Sequence, residues 1–176
     1  MRRRELLAGL GSLGVLGAGG AVAFGRVGPL GSSEGDRVDP VDLRRFDAPG
    51  SPPGTETVPE TGRVTFLSLF ATWCSICQRE MDPLGEAAAA VDSGVQFVSV
   101  TYEPVGQTVS RADVIEWWVD HDGAWPVALD DGYDLTLQVD QPGVPYSVVL
   151  DADNRVTWGD SGYKEANTIL DRISEA

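Results

Sequence analysis

The side chains that most often hold metals or cofactors are nearly missing from this chain: among 176 residues His121 is the only histidine, and Cys74 and Cys77 are the only cysteines. A structural zinc ion takes four nitrogen or sulfur ligands and an iron–sulfur cluster four thiolates, so neither is expected. Covalent haem attachment needs a histidine directly after the second cysteine, where Gln78 stands. No metal or cofactor is therefore expected. Positive charge is short as well. Thirteen Lys and Arg, with Lys164 the single lysine, face 27 Asp and Glu for a net charge of −14, and such a field repels nucleic acid. Small domains commonly carry magnitudes of roughly 2–8. An excess this large, with arginine in place of lysine, reads as a surface adapted to high salt, where repulsion is screened within a few Å. No internal repeat is visible, and 176 residues leave room for one core plus extensions, since single domains commonly run to about 100–150 residues.

Charge is also absent from Leu6 to Gly25, directly after Arg2, Arg3, Arg4 and Glu5. A basic start, a weakly apolar stretch and the small residues Ala21-Val22-Ala23 have the layout of an export signal. Adjacent arginines followed by Leu6 and Leu7 resemble a twin-arginine signal. An uncleaved anchor competes, because 20 uncharged residues just reach across a bilayer; seven glycines between Gly9 and Gly25 weaken it. The expected organisation is an export signal or N-terminal anchor over residues 1–27, a Pro- and Gly-rich flexible tether over 28–40, and a folded domain over 41–176. That domain is expected to work outside the cytoplasm, secreted or held at a membrane by its N-terminus.

Within the domain, VTFLSLF (64–70) and VQFVSVTY (95–102) are β-rich and almost continuously apolar, the pattern of strands buried on both faces. SICQREMDPLGEAAAAVD between them is rich in helix formers, with a bend expected at Pro83 and Gly85; strand, helix and strand of this length form a βαβ unit. Upstream, VDLRRF and TETV predict a hairpin around DAPGSPPG. Downstream, Ser110 and Asp113 make a capping-box variant ahead of a helix whose expected apolar stripe is Val114, Ile115, Trp118 and Val119. A short strand (WPVALD) and a short helix (YDLTLQV) follow. Two antiparallel strands about Asp151-Ala152-Asp153-Asn154 and a last helix with Ile169, Leu170 and Ile173 inward complete the chain. The fold class is α/β: a central mixed sheet of four or five strands, helices on both faces, and a helical insert between the βαβ and ββα halves.

The two cysteines admit three readings. Outside the cell a disulfide is the common state, but a loop of three residues removes little entropy from the unfolded chain, which makes a weak structural staple. Core filling is the second, since free cysteine is often buried. A reactive pair is the third and has a physical reason for its address. Cys74 stands where a buried strand gives way to a helix, and there unpaired N–H groups and the helix dipole stabilise a thiolate; Cys77 lies one turn inside.

Trp73-Cys74-Ser75-Ile76-Cys77 after an apolar strand, and Gly143-Val144-Pro145 before a later one, resemble the two hallmarks of the thioredoxin fold, a three-layer sandwich. The lead-in Phe70-Ala71-Thr72-Trp73, the export signal and the insert before WPVALDD resemble the TlpA/ResA-like extracytoplasmic thiol-disulfide oxidoreductases, and the acidic composition resembles haloarchaeal proteins. The resemblance covers roughly residues 40–176. It implies that Cys74 is the exposed attacking thiol and Cys77 the resolving one, together forming the redox-active disulfide. It also implies that Pro145 is cis against the pair, that Val144 offers its backbone to an extended substrate, and that Trp73 shapes the contact surface. Glu80 completes a CxxCxxE pattern and on this resemblance moves the proton of the buried thiol; the bland reading is an exposed acid favouring the helix dipole. The implied partners are protein thiols and disulfides, apocytochrome c cysteines during haem attachment among them, with a membrane electron donor and the chain acting as a monomer. Two departures leave the direction of electron flow open: Ser75-Ile76 lacks the proline frequent before the second cysteine, and VTFLSLF lacks the acid of cytosolic thioredoxin's first strand. A redox-inert or copper-handling binding module on the same fold is the alternative.

Overall fold

The computed structural model describes residues 37–176. The expected signal over 1–27 and the tether segment 28–36 lie outside the described residues. In chain order the elements are β1 (Val41–Arg45), β2 (Thr55–Val58), β3 (Val64–Phe70), α1 (Ser75–Ala90), β4 (Val95–Thr101), α2 (Arg111–Asp120), β5 (Val127–Leu129), α3 (Asp134–Gln138), β6 (Tyr146–Leu150), β7 (Val156–Ser161) and α4 (Ala166–Ser174). Among the described residues no helix is long and apolar enough to cross a membrane.

The two apolar runs lie side by side at the centre, as strands buried on both faces must. β3 and β4 pair in parallel with Phe66 opposite Phe97, and those two rings stack with centroids 4.6 Å apart. The mixed sheet has seven strands in the order β2-β1-β5-β4-β3-β6-β7, where four or five were expected. The extra width comes from the β1/β2 hairpin, which docks through Arg44 and Arg45 of β1 against Leu129 and Ala128 of β5. β6 runs antiparallel to β3, and β7 to β6.

Alternation along β3 divides the core. Phe66 and Phe70 face a cluster built with α1, α2 and α4, through residues such as Leu84, Trp118 and Ile169. Leu67 and Leu69 face a second, smaller cluster closed by Leu135 of α3 and by Val38, Val58 and Val139. Val38 is fully buried, and its N–H donates to Asn154 O at 2.9 Å. The folded chain thus includes residues that the expected tether, ending at 40, had assigned to flexible linker; a buried apolar side chain with a satisfied backbone is the reason.

α1 is continuous through Pro83 and Gly85, where a bend was expected, and Pro83 turns inward among its buried residues. α2 starts on the full reciprocal capping box between Ser110 and Asp113. Its buried stripe departs from the expected one. Val114 and Trp118 are buried and Trp117 half-buried, whereas Val119 is half exposed. Trp117 wins the inward position because its ring stacks on Phe70 at 5.0 Å. The expected turn at 151–154 is a hairpin turn, with Asp151 Oδ1 accepting from the N–H groups of Asp153 and Arg155.

Candidate redox site

Parallel pairing of β3, β4 and β5 puts their C-terminal ends at one edge of the sheet, and the site is assembled there. Residues 71–73 leave β3 and turn into α1. Cys74 is the N-cap residue of that helix: its sulfur accepts from Cys77 N–H at 3.1 Å, the donor such a position leaves unpaired. Cys74 and Cys77 are joined in a disulfide with their Cα atoms 5.2 Å apart. The helix therefore presents both sulfurs on one face and aims its first-turn N–H at the outer one. A thiolate formed at Cys74 on reduction would keep that donor.

Exposure separates the residues around the pair. Cys74 is 6% and Cys77 2% exposed, so the attacking sulfur implied to be exposed is the more accessible of two buried ones. Trp73 is 73% exposed and Ile76 38%, which removes Trp73 from the core and sets it on the rim. The Val144–Pro145 peptide bond is cis, and Val144 packs against the cluster that contains both cysteines. Pro145 O accepts from Gly162 N–H at 3.0 Å, while no backbone–backbone hydrogen bond among the described residues uses Val144.

Glu80 is not the exposed acid of the bland reading. It is fully buried, its Oε1 accepts from Lys164 N–H at 2.8 Å, and its Oε2 is buried without a partner. Loss of water pushes its proton affinity up to about 7, against the smaller opposing effects of the Lys164 N–H and the Lys164 charge. At neutral pH such a group both gives and takes a proton.

Two residues of the site escape a reading of the sequence. Glu103, just beyond β4, is 7% exposed; its carboxylate accepts from Thr72 N–H and Thr72 Oγ1, each at 2.8 Å, and from Thr101 Oγ1 at 3.1 Å. It ties down the loop that delivers Cys74. The available signal was an acid at the end of a buried parallel strand, the edge where α/β sites gather. Lys164 is the other, and its being the only lysine was the signal. His121, the only histidine, caps the end of α2 with Nδ1 2.6 Å from Trp117 O.

Residues 34–173 match the family model described as Redoxin. The chain is 24% identical over 140 residues to the thiol:disulfide interchange protein DsbE of Yersinia pestis, covering 79% of this chain and 67% of that protein. Among solved structures, a putative thiol:disulfide interchange protein DsbE from Chlorobium tepidum superposes with a TM-score of 0.67 at 20% identity, covering 81% of this chain and 96% of that one. The exposed lipoprotein thioredoxin Etrx1 of Streptococcus pneumoniae gives 0.67 at 21%, covering 78% and 100%. These structural likenesses establish the thioredoxin-like fold.

Proposed function

We propose, from the premise that this chain belongs to the Redoxin family and is a thiol–disulfide oxidoreductase, that it exchanges electrons with protein disulfides outside the cytoplasm through Cys74 and Cys77. The observation that carries this reading is the disulfide at the N-cap of α1, flanked by an exposed Trp73 and by Val144 next to a cis proline. In the reducing direction the Cys74 thiolate attacks a partner disulfide, and one partner sulfur leaves as thiolate. Cys77 then gives up its proton and attacks Cys74. The mixed disulfide breaks, the Cys74–Cys77 bond forms, and the partner leaves with both sulfurs reduced. Glu80 takes the Cys77 proton in this direction and returns it in the other. Val144 supplies main-chain groups to an extended partner segment, an added-strand contact, and Trp73 covers it.

The export layout of residues 1–27 supports action outside the cytoplasm, through a twin-arginine signal, with the domain secreted or anchored. Apocytochrome c cysteines are the substrate favoured by the TlpA/ResA resemblance, with a membrane protein as electron donor, the chain a monomer, and a haloarchaeal type indicated by the charge of −14. The copper-handling alternative would rest on His121, the one histidine, which caps the end of α2 with its Nδ1 2.6 Å from Trp117 O.

The test is trapping. Cys77→Ser is expected to accumulate mixed disulfides through Cys74 when expressed with its export segment, and mass spectrometry of the trapped species separates an apocytochrome from a membrane donor. Absence of any trapped partner, together with failure of the unmodified protein to reduce a protein disulfide, would sink the reading.

A further inference from the structure

The only ammonium side chain in this acidic protein is not on its surface. The Lys164 side chain is 4% exposed, although water is where such a group is ordinarily most stable. Its Nζ donates to Gly162 O at 2.6 Å, lies 3.4 Å from Asp160 Oδ2, and stands 5.8 Å from the centre of the Trp158 ring. Its main-chain N–H donates to Glu80 Oε1. One residue thus acts on Glu80 twice, by a hydrogen bond and by the charge of its ammonium. The two oxygens of Glu80 are made unequal in consequence. Oε1 is held as an acceptor, and Oε2, buried and unpartnered, is left to carry the proton.

We propose that Lys164 is a positioning residue for thiol exchange: its N–H holds Glu80 Oε1 so that Oε2 alone takes and returns the Cys77 proton, and its buried ammonium sets how tightly that proton is held. This rests on the proton-moving role of Glu80 proposed above. The charged and titratable groups around Glu80 are few. Its own helix carries Cys77, Arg79, Asp82 and Glu86, with Cys74 at the N-cap. The segment from β7 to α4 supplies Lys164, which acts on Glu80 directly, and Tyr163, which Glu80 acts on in turn; Asp160 lies 3.4 Å from the Lys164 ammonium, and Arg172 of α4 stands over the Trp158 ring. The Tyr163 phenol is pushed up by desolvation, then by Glu165 and Glu80, so it stays protonated while Glu80 titrates. Lys164 is the only cation between β7 and α4.

Reduced protein mixed with dithiobis(nitrobenzoate) reports the step directly. Cys74 releases one thionitrobenzoate and forms a mixed disulfide; Cys77 loses its proton, attacks Cys74 and releases the second. The rate of the second release is measured between about pH 5 and 9, which brackets ordinary carboxyl and thiol titration. In the unmodified protein it is expected to rise through about pH 7. Lys164→Met keeps the N–H and the chain length but removes the charge. It is expected to move that midpoint up by about one pH unit, a roughly tenfold slower release below the midpoint, and Lys164→Arg to bring it back. Since the chain has one lysine, nitrogen-15 lysine labelling gives a single ammonium resonance. That resonance should titrate with Glu80 and be flat in Glu80→Gln. An unmoved midpoint in Lys164→Met while Glu80→Gln removes the rise near pH 7 and leaves only that of the Cys77 thiol at higher pH, or a lysine resonance that does not respond across neutral pH, overturns the role of Lys164 and leaves the redox reading standing. No second release at any pH from the unmodified protein overturns both. If Lys164→Met does not fold, the resonance decides alone.

Discussion

A carboxyl group with no solvent, one backbone donor and one idle oxygen has an energetic consequence beyond chemistry. Glu80 titrates at about 7 in the fold instead of at its ordinary 4.5, so the folded state binds the proton more tightly than the unfolded one. The stability contributed by the protonated form is complete below about pH 4.5 and is lost as pH rises through about 7. The loss amounts to about 3 kcal/mol at most, at 1.36 kcal/mol per pH unit. Glu80→Gln cannot ionise. It is therefore expected to match the unmodified protein near pH 4 and to exceed it above neutrality by up to that amount, in urea melts at the two pH values. An equal difference at both would mean that the carboxylate is not being desolvated. Spacing alone put Glu80 on the helix face of Cys77; its burial could not be read, because that depends on what covers the face.

Elements position the reactive sulfur through their ends. β4 stops at Thr101 and the chain turns at Glu103, whose carboxylate collects three donors, two of them from Thr72. The loop between β3 and α1 is thereby fixed from the neighbouring strand. Glu103→Ala strands one buried and two half-buried donors, a loss of about 1–3 kcal/mol. We expect it to lower stability in that range and to speed hydrogen exchange at the Thr72 amide relative to the β3 amides; unchanged protection at Thr72 would show that the clamp does not hold the loop. The elements themselves were legible. Continuous apolar runs announced β3 and β4, and Ser110 with Asp113 announced the start of α2. Val114 and Trp118 of α2 were legible as its buried positions; the half-buried Trp117 was not, since it is selected by the Phe70 ring that a distant strand presents.

At the scale of the molecule, a net charge of −14 opposes compaction, and added salt relieves it. The screening length falls from about 10 Å at 0.1 M to about 3 Å at 1 M. Folding concentrates like charge, so the folded state gains more from screening than the expanded chain does. The thermal midpoint is expected to rise by several degrees in potassium chloride over that interval, at roughly 2–4 °C for each kcal/mol in a domain of this size. A flat or falling midpoint in a calorimetric salt series would contradict a surface adapted to salt. The sheet belongs to this scale too. Its central strands were readable as buried runs, but its seven-strand width came from docking β1 on β5, where Arg44 meets Leu129 and Arg45 meets Ala128 far along the chain.

By itself the sequence determined what depends on neighbours along the chain: the βαβ unit, the placing of Cys74 at the start of a helix with Cys77 one turn in, and Gly143-Val144-Pro145 ahead of a strand. Hydrophobic period, capping and residue spacing act over a few residues, and so they can be read there. Only the tertiary structure decided how the site is tuned. Glu80 meets Lys164 across 84 positions and Thr72 meets Glu103 across 31. Whether a polar side chain on a known helix face is wet or dry is settled by which remote segment packs over it, and desolvation follows from that packing.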